Sequence, residues 1–373
     1  MLESIKKVDK KIITMMGLII GVILIIIIAV IVVALTTGGS ISYEKIENKL
    51  AKAAESYCND NSDKLPKAIG DEVQIEASAL VSGGYIKDLS EYTDEGVTCS
   101  GKVIVGKTAT GYDYVSSLDC GKNYKTQFFA DKLLENVVTS GSGLYKMAET
   151  DSQIENDLME GYIYRGEVVN NYVKIGDDLY RIVKIDGNND LTIVTANTRS
   201  RGIYDNRYNE DTQTAVGISD YSFSRAKDDL ELLYQQLPAD SIIKQKVVKK
   251  DVCIGPRSAD DTSKDGSAEC SKVMSGQIYS LIPVFDFLNA SLSDKCIKTT
   301  DGSCGNYNYL MVDGSVWTMT PTTENTYTAY IANGILMSEN VNRSGTYKYV
   351  FYLSSRVKYD KGSGTITDPY IIK

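Results

Sequence analysis

The chain has no histidine in its 373 residues. This excludes Ser-His-Asp and Cys-His catalysis, HExxH zinc sites and metal clusters built on imidazole. No CxxC spacing occurs, so thioredoxin-like and zinc-ribbon readings have no support. Neither a GxxxxGK[ST] phosphate loop nor a GxGxxG fingerprint is present. Ser-Lys or paired-carboxylate chemistry needs a particular pair held by the fold, and among 49 acidic residues no spacing singles one out. The expectation is a protein that is not an enzyme and carries no cofactor. Tryptophan (1) and phenylalanine (6) are also scarce beside 26 tyrosines, so tyrosine supplies most of the aromatic surface.

What is present begins with the apolar run over residues 12–35, where Thr14 is the one polar side chain and no charge occurs. At about 1.5 Å per residue such a helix reaches roughly 36 Å, enough to cross a bilayer core. Lys6, Lys7, Lys10 and Lys11 precede it against Glu3 and Asp9, which places the N-terminus inside. The run exceeds a signal-peptide core, and no small-x-small cleavage site follows it. Residues 1–11 are therefore read as a cytoplasmic tail and 12–35 as an uncleaved signal anchor. The remainder is expected outside a cell membrane that the chain spans once. The net charge of −9 argues against nucleic acid as a partner. All seven cysteines follow the apolar run, which suits structural disulfides in an oxidising compartment.

Beyond the run, Ile46, Leu50, Ala54 and Cys58 recur at four-residue spacing with Ala53 and Tyr57 beside them, predicting an amphipathic helix that stops near Asn59-Asp60-Asn61. Two β-prone runs, 102–106 and 112–116, flank a turn at 108–111. Centring the hairpin there sets Cys99 opposite Cys120, where Cβ atoms about 4.5–5.5 Å apart come close to disulfide reach. A second helix is predicted over about 127–138, and 141–160 reads as a polar linker. From 161 to 373 the pattern is α+β rather than alternating βα units. Strands are expected at 172–175, 179–185, 191–196, 314–319, 327–331 and 347–353, and helices at about 224–236 and 282–290. Cys253 and Cys270 enclose one loop and Cys296 and Cys304 another, and each pair is expected to bridge. Cys58 is expected as a buried thiol, with an interchain disulfide, and hence a homodimer through the N-terminal helix, as the alternative.

Two stretches carry a resemblance. The membrane helix leading into an amphipathic helix, the segment Leu80-Val-Ser-Gly-Gly-Tyr-Ile86 and the Cys99…Cys120 hairpin resemble type IV pilin-like and pseudopilin-like proteins over about 12–140. Prepilins carry Glu at the fifth position after the leader glycine. Here Gly17 is followed at that position by Val22, so a permanent anchor is expected rather than a filament subunit. Asn170-Asn-Tyr-Val-Lys-Ile-Gly176, Tyr180-Arg-Ile-Val-Lys184, Trp317-Thr-Met-Thr-Pro321 and Leu353-Ser-Ser-Arg-Val357 resemble a C-terminal domain of exported surface proteins in Gram-positive-type bacteria. That resemblance implies a C-type-lectin-like fold, or one related to the sulfatase-modifying domain, over 161–373. The expected plan is thus a transmembrane helix, a small pilin-like helix-plus-antiparallel-sheet domain (36–140) and a C-type-lectin-like α+β domain.

Within the last domain, Asp261, Ser263, Asp265 and Gly266 fit positions one, three, five and six of an EF-hand-type calcium loop, but Lys272 stands where the bidentate Glu is required. They are weak metal candidates, and a polar surface loop is the better reading. The Glu-Pro-Asn and Trp-Asn-Asp motifs of calcium-dependent sugar-binding lectins do not occur. Tyr204, Tyr208 and Tyr221, among Arg199, Arg201 and Arg207, together with Tyr307 and Tyr309, form the candidate ligand surface, because Tyr gives rigid contact area with a polar tip. Trp317 is expected in the core. The leading functional expectation is a membrane-anchored extracellular binding or adhesion module for a glycan or protein ligand. A structural pilus or pseudopilus subunit is the alternative, and a cell-wall hydrolase the third.

Overall fold

The computed structural model describes residues 41–147, 161–198, 200–311 and 314–373. The tail 1–11, the apolar run 12–35 and most of the linker lie outside them. Among the described residues no helix is long and apolar enough to cross a membrane. The described chain mixes helix and antiparallel-rich sheet, the α+β class that its pattern predicts. It divides into two compact units: the described residues up to Asp60 with 75–103 and 116–125, and a larger unit of 61–74, 104–115 and the described residues from 126 to 373.

Helix α1 (Tyr43–Asp60) follows the predicted stripe: Ile46, Leu50, Ala53, Ala54 and Cys58 are buried. In the smaller unit Ser116 donates to the Glu47 carbonyl at 2.6 Å, Tyr124 donates to the Glu47 carboxylate at 3.1 Å, and Tyr124 stacks on Tyr43 at 4.6 Å. A short helix α2 (Ala77–Ser82) buries Leu80 in the same unit. Strands β1 (Glu72–Glu76), β2 (Ser100–Lys107) and β3 (Tyr112–Asp119) form a sheet in that order. The Thr108 amide donates to the Gly111 carbonyl at 3.0 Å across the predicted turn, and Cys99 is bonded to Cys120.

In the larger unit, α3 (Phe129–Leu134) is shorter than the predicted helix. Past Leu134 the chain turns, the Asn136 amide donating to the Leu133 carbonyl at 3.0 Å, and Val138 donates its amide to the Leu144 carbonyl at 2.8 Å, a bond a continuing helix could not make. The predicted linker likewise contains structure: β4 (Gly143–Lys146) pairs with β5 (Gly161–Arg165). Then follow β6 (Tyr172–Ile175), β7 (Asp178–Asp186), β8 (Leu191–Thr195) and β9 (Ser200–Ile203). Helices α4 (Arg225–Gln236) and α5 (Ile242–Lys246) lead to the ribbon β10 (Lys250–Cys253) with β11 (Val273–Gln277). The Ser224 hydroxyl caps α4 by accepting from the Lys227 amide, a bond worth about 1 kcal/mol. After β12 (Tyr279–Leu281) and α6 (Val284–Ala290) come β13 (Val316–Pro321), β14 (Thr328–Ala332), β15 (Leu336–Asn340), β16 (Ser344–Tyr347), β17 (Tyr349–Leu353), β18 (Tyr359–Lys361) and β19 (Tyr370–Ile372).

These strands form two main sheets. One runs β12-β17-β8-β7-β6-β19-β18, with β5 also on β7 and β4 on β5; the other runs β15-β14-β13-β16-β9. Every residue of β8, β13, β14 and β17 is buried, as continuous apolar-rich runs covered on both faces require. The run predicted as one strand over 347–353 is two: the chain leaves one sheet after Tyr347 and enters the other at Tyr349, so buried Lys348 is the corner between them. Trp317 is fully buried, as expected, 5.4 Å from the Tyr204 ring. Gly345 makes room for it, since a Cβ there would lie 2.5 Å from the indole nitrogen.

Candidate binding sites

The loop between β9 and α4 is built on one buried carboxylate. Asp205 accepts from the amides of Arg207 (3.3 Å), Ile218 (2.8 Å) and Arg225 (3.2 Å), and Arg207 Nε lies 3.2 Å from it. Asn209 ties the same loop to the β13–β14 connection, donating to the Gly217 carbonyl at 2.7 Å and the Thr326 carbonyl at 3.3 Å. Gly217 has φ +89°, and a Cβ would lie 2.3 Å from the Asp205 carbonyl, so glycine is required there. Loops with this many internal bonds hold their shape without a ligand.

Between them lies an open groove of about 700 Å³. Ile254, Pro256 and Pro321 give it apolar walls, and Thr322, Asn325 and Thr326 give it polar ones. Tyr208 (57% exposed) and Phe223 (61% exposed) stand at it as uncovered rings. Lys272 lies 5.8 Å from the Phe223 ring centroid and pairs with Asp220. Burial alone would raise the Asp220 carboxyl, but bonds from Lys272 and Ser222 outweigh it and hold the group below its usual range. The groove therefore offers two aromatic faces beside hydroxyl, amide and carboxylate groups.

The predicted ligand surface is divided by the structure. Tyr204 and Tyr221 are fully buried, which corrects their assignment to a surface. Tyr204 donates to the Ser219 carbonyl at 3.0 Å and packs on Trp317, and burial pushes both hydroxyls well above the ordinary tyrosine range. Arg207 is engaged by Asp205 and by Asp228 at 2.6 Å, Arg201 is exposed on β9, and Arg199 lies outside the described residues. Of the set, Tyr208 alone lines the groove. Tyr307 and Tyr309 belong to a second cavity of about 580 Å³, with Arg181, Asn306 and Asn308. There Tyr307 is 61% exposed with φ 51°, whereas Tyr309 is buried. The sequence reading missed Phe223, two residues beyond Tyr221 in the same tyrosine- and arginine-bearing loop, and Arg181, which lies in a β-prone run read as a strand.

The calcium-like loop is closed by its own chain. Arg257, fully buried, sends Nη2 to the Asp261 carboxylate at 3.2 Å and to the Ser263 carbonyl, while Nη1 meets Glu269 at 3.0 Å. Asp261 also accepts from the Ser263 amide and hydroxyl, at 2.8 and 2.6 Å, and Asp265 likewise from Ser267, at 2.9 and 2.6 Å. A guanidinium thus sits among the oxygens that a cation would use. Among the described residues no group of three or more Cys, Asp or Glu is placed to hold a metal. Disulfides Cys253–Cys270 and Cys296–Cys304 are formed as expected, and Cys58 is buried outside the three bridges. The chain matches no protein-family model, no curated protein and no solved structure.

Proposed function

We propose that this chain is a membrane-tethered extracellular binding protein whose larger unit takes a glycan in the groove at Tyr208 and Phe223. The observation that carries the reading is that pair of uncovered rings flanking Thr, Asn and Asp side chains. Sugar rings present C–H faces that stack on aromatics and hydroxyls that need such partners. The apolar run 12–35 with its lysine flank supports the tether. The three disulfides support an oxidising exterior. The resemblance to pilin-like and C-type-lectin-like proteins supports a stalk followed by a recognition domain.

A glycan array probed with the full-length chain tests this. Neutral oligosaccharides are expected to bind, with Tyr208→Ala and Phe223→Ala each weakening binding about tenfold, the equivalent of one contact of about 1.4 kcal/mol. Both side chains are exposed, so the fold is expected to survive. Absence of glycan binding, or turnover of cell-wall substrate in a zymogram, overturns the reading. Alkylation of the native cysteines from outside intact cells checks the orientation after reduction; labelling only in permeabilised cells contradicts it.

A further inference from the structure

Of the arginines in or near the interior of the larger unit, two are closed by carboxylates. Arg257 meets Glu269 and Asp261, at 3.0 and 3.2 Å, and Arg356 meets Glu72 and Asp113, at 2.6 and 3.2 Å. Among the described residues, no carboxylate lies within 4.0 Å of Arg181, on β7. It is nonetheless held firmly. Its guanidinium lies between the rings of Tyr172 and Tyr309, 4.4 and 4.5 Å from their centroids. Its Nε donates to Asn171 Oδ1 at 2.9 Å, and Asn171, itself fully buried, is fixed by donating Nδ2 to the Ile182 carbonyl at 2.7 Å. Two rings occupy its faces and an amide one edge. The Nη donors have no protein partner among the described residues, and Arg181 lines the polar cavity of about 580 Å³.

The rest of that cavity is equally ordered. Asn308 donates Nδ2 to the carbonyls of Phe287 (2.8 Å) and Cys304 (2.9 Å), and its Oδ1 accepts from the Leu310 amide at 3.1 Å. Glu167 is exposed at the rim and forms no ion pair with Arg181. Buried Lys348 adds a second positive charge in this part of the unit, and among the described residues its ammonium has neither a hydrogen bond nor an ion pair. A pre-set planar fork with two donors unspent, facing a polar cavity, matches a planar monoanion that accepts two parallel bonds.

We propose that this cavity is a second binding site, independent of the groove, in which Arg181 takes a carboxylate group, with Asn306 and Tyr307 at the side where the rest of the ligand lies. The carboxylate could belong to a uronic acid or to a peptide C-terminus, and the two sources are separable. Titrations of the full-length chain followed by NMR or calorimetry would use glucuronate against methyl glucoside, and N-acetylglycylalanine against its C-terminal amide. Inorganic phosphate serves as the competing oxyanion. The expected result is binding of one of the acids and not of its neutral counterpart, weakened about tenfold or more by Arg181→Lys, which keeps the charge but loses the fork. Tyr307→Ala, at an exposed position, is expected to weaken the same acid several-fold, and it keeps the test open should an Arg181 variant fail to fold. Groove variants Tyr208→Ala and Phe223→Ala are expected to leave this binding unchanged. Binding of neither acid, binding that Arg181→Lys leaves intact, or phosphate bound more tightly than both acids overturns the proposal.

Discussion

Arg257 and Arg181 are two answers to the same problem, a guanidinium taken largely out of water. Arg257 is matched by Glu269, Asp261 and the Ser263 carbonyl, and its loop is closed by the Cys253–Cys270 bridge. Arg181 is matched by ring faces and one amide, and its remaining donors open on a cavity. The first arrangement supplies the counter-charge from the chain itself, although the buried Nε of Arg257 has no partner among the described residues. The second holds the cation in place with no carboxylate partner among the described residues. Burial by itself therefore says little about role; what distinguishes the two is whether the protein supplies the counter-charge.

The sharpest way to break this comparison is Arg257→Met. Removing one partner of a buried pair strands the other, so a loss of about 3–5 kcal/mol is expected in urea unfolding at neutral pH. Burial already raises the Glu269 carboxyl to about 7 against the pull of Arg257, and without Arg257 it rises further. The loss should therefore shrink at pH 5, where Glu269 can fold protonated. A loss under about 1 kcal/mol at neutral pH would mean that the pair is not structural.

The bridge closing the same loop comes next. Replacing Cys253 and Cys270 together by Ser is expected to cost about 3 kcal/mol, as for other loops of comparable length, and to make the unfolding midpoint insensitive to reductant at that bridge. Lys348→Met should act in the opposite direction. Burial, aided by the charge of Arg181, lowers the Lys348 ammonium to about 8 from 10.5. Between those values the unfolded chain holds more protons than the folded one, so unfolding free energy rises with pH across that window. The substitution should stabilise the fold by about 1–3 kcal/mol below pH 8 and lose its advantage above about pH 10.5. A flat difference between the two proteins from pH 7 to 11 would show that Lys348 is not strained by its charge. The smallest effect is expected from Arg181→Met, about 1 kcal/mol for the lost ring contacts, read by thermal unfolding. A loss matching that of Arg257 would erase the distinction.

The sequence revealed local pattern well and convergence poorly. The stripe of α1 and the three cysteine pairs were legible because each depends on spacing of a few residues or on a symmetric hairpin. The predicted strand at 172–175 agrees with β6, and the helix expected from 224 begins one residue later, with Ser224 as its cap. The break at Lys348 was not legible, because the run on both sides is uniformly β-prone and only tertiary pairing sends its halves to different sheets. β4 was hidden in a polar stretch whose partner, β5, lies beyond the intervening residues. For the sites, a cluster of tyrosines and arginines in one loop suggested a surface, yet a tyrosine ring serves a core as readily when its hydroxyl finds a carbonyl, as Tyr204 does with Ser219. Arg181 sits beside Tyr180 in a β-prone run, where nothing local says which side chains will meet its guanidinium.

The pairing of β19 bears on how the larger unit comes to be folded. Tyr370 and Ile371 lie parallel to Val173 and Lys174, so β19 sits between β6, near the start of the unit's main sheet, and β18. Closing that contact means joining segments separated by almost the whole unit, among the costliest loops the chain must form and a source of slow folding. Until Tyr370 and Ile372 arrive, β6 keeps an open edge and part of the core stays uncovered. The unit is therefore expected to remain unfinished, and open to proteases and chaperones, until its last strand has been delivered.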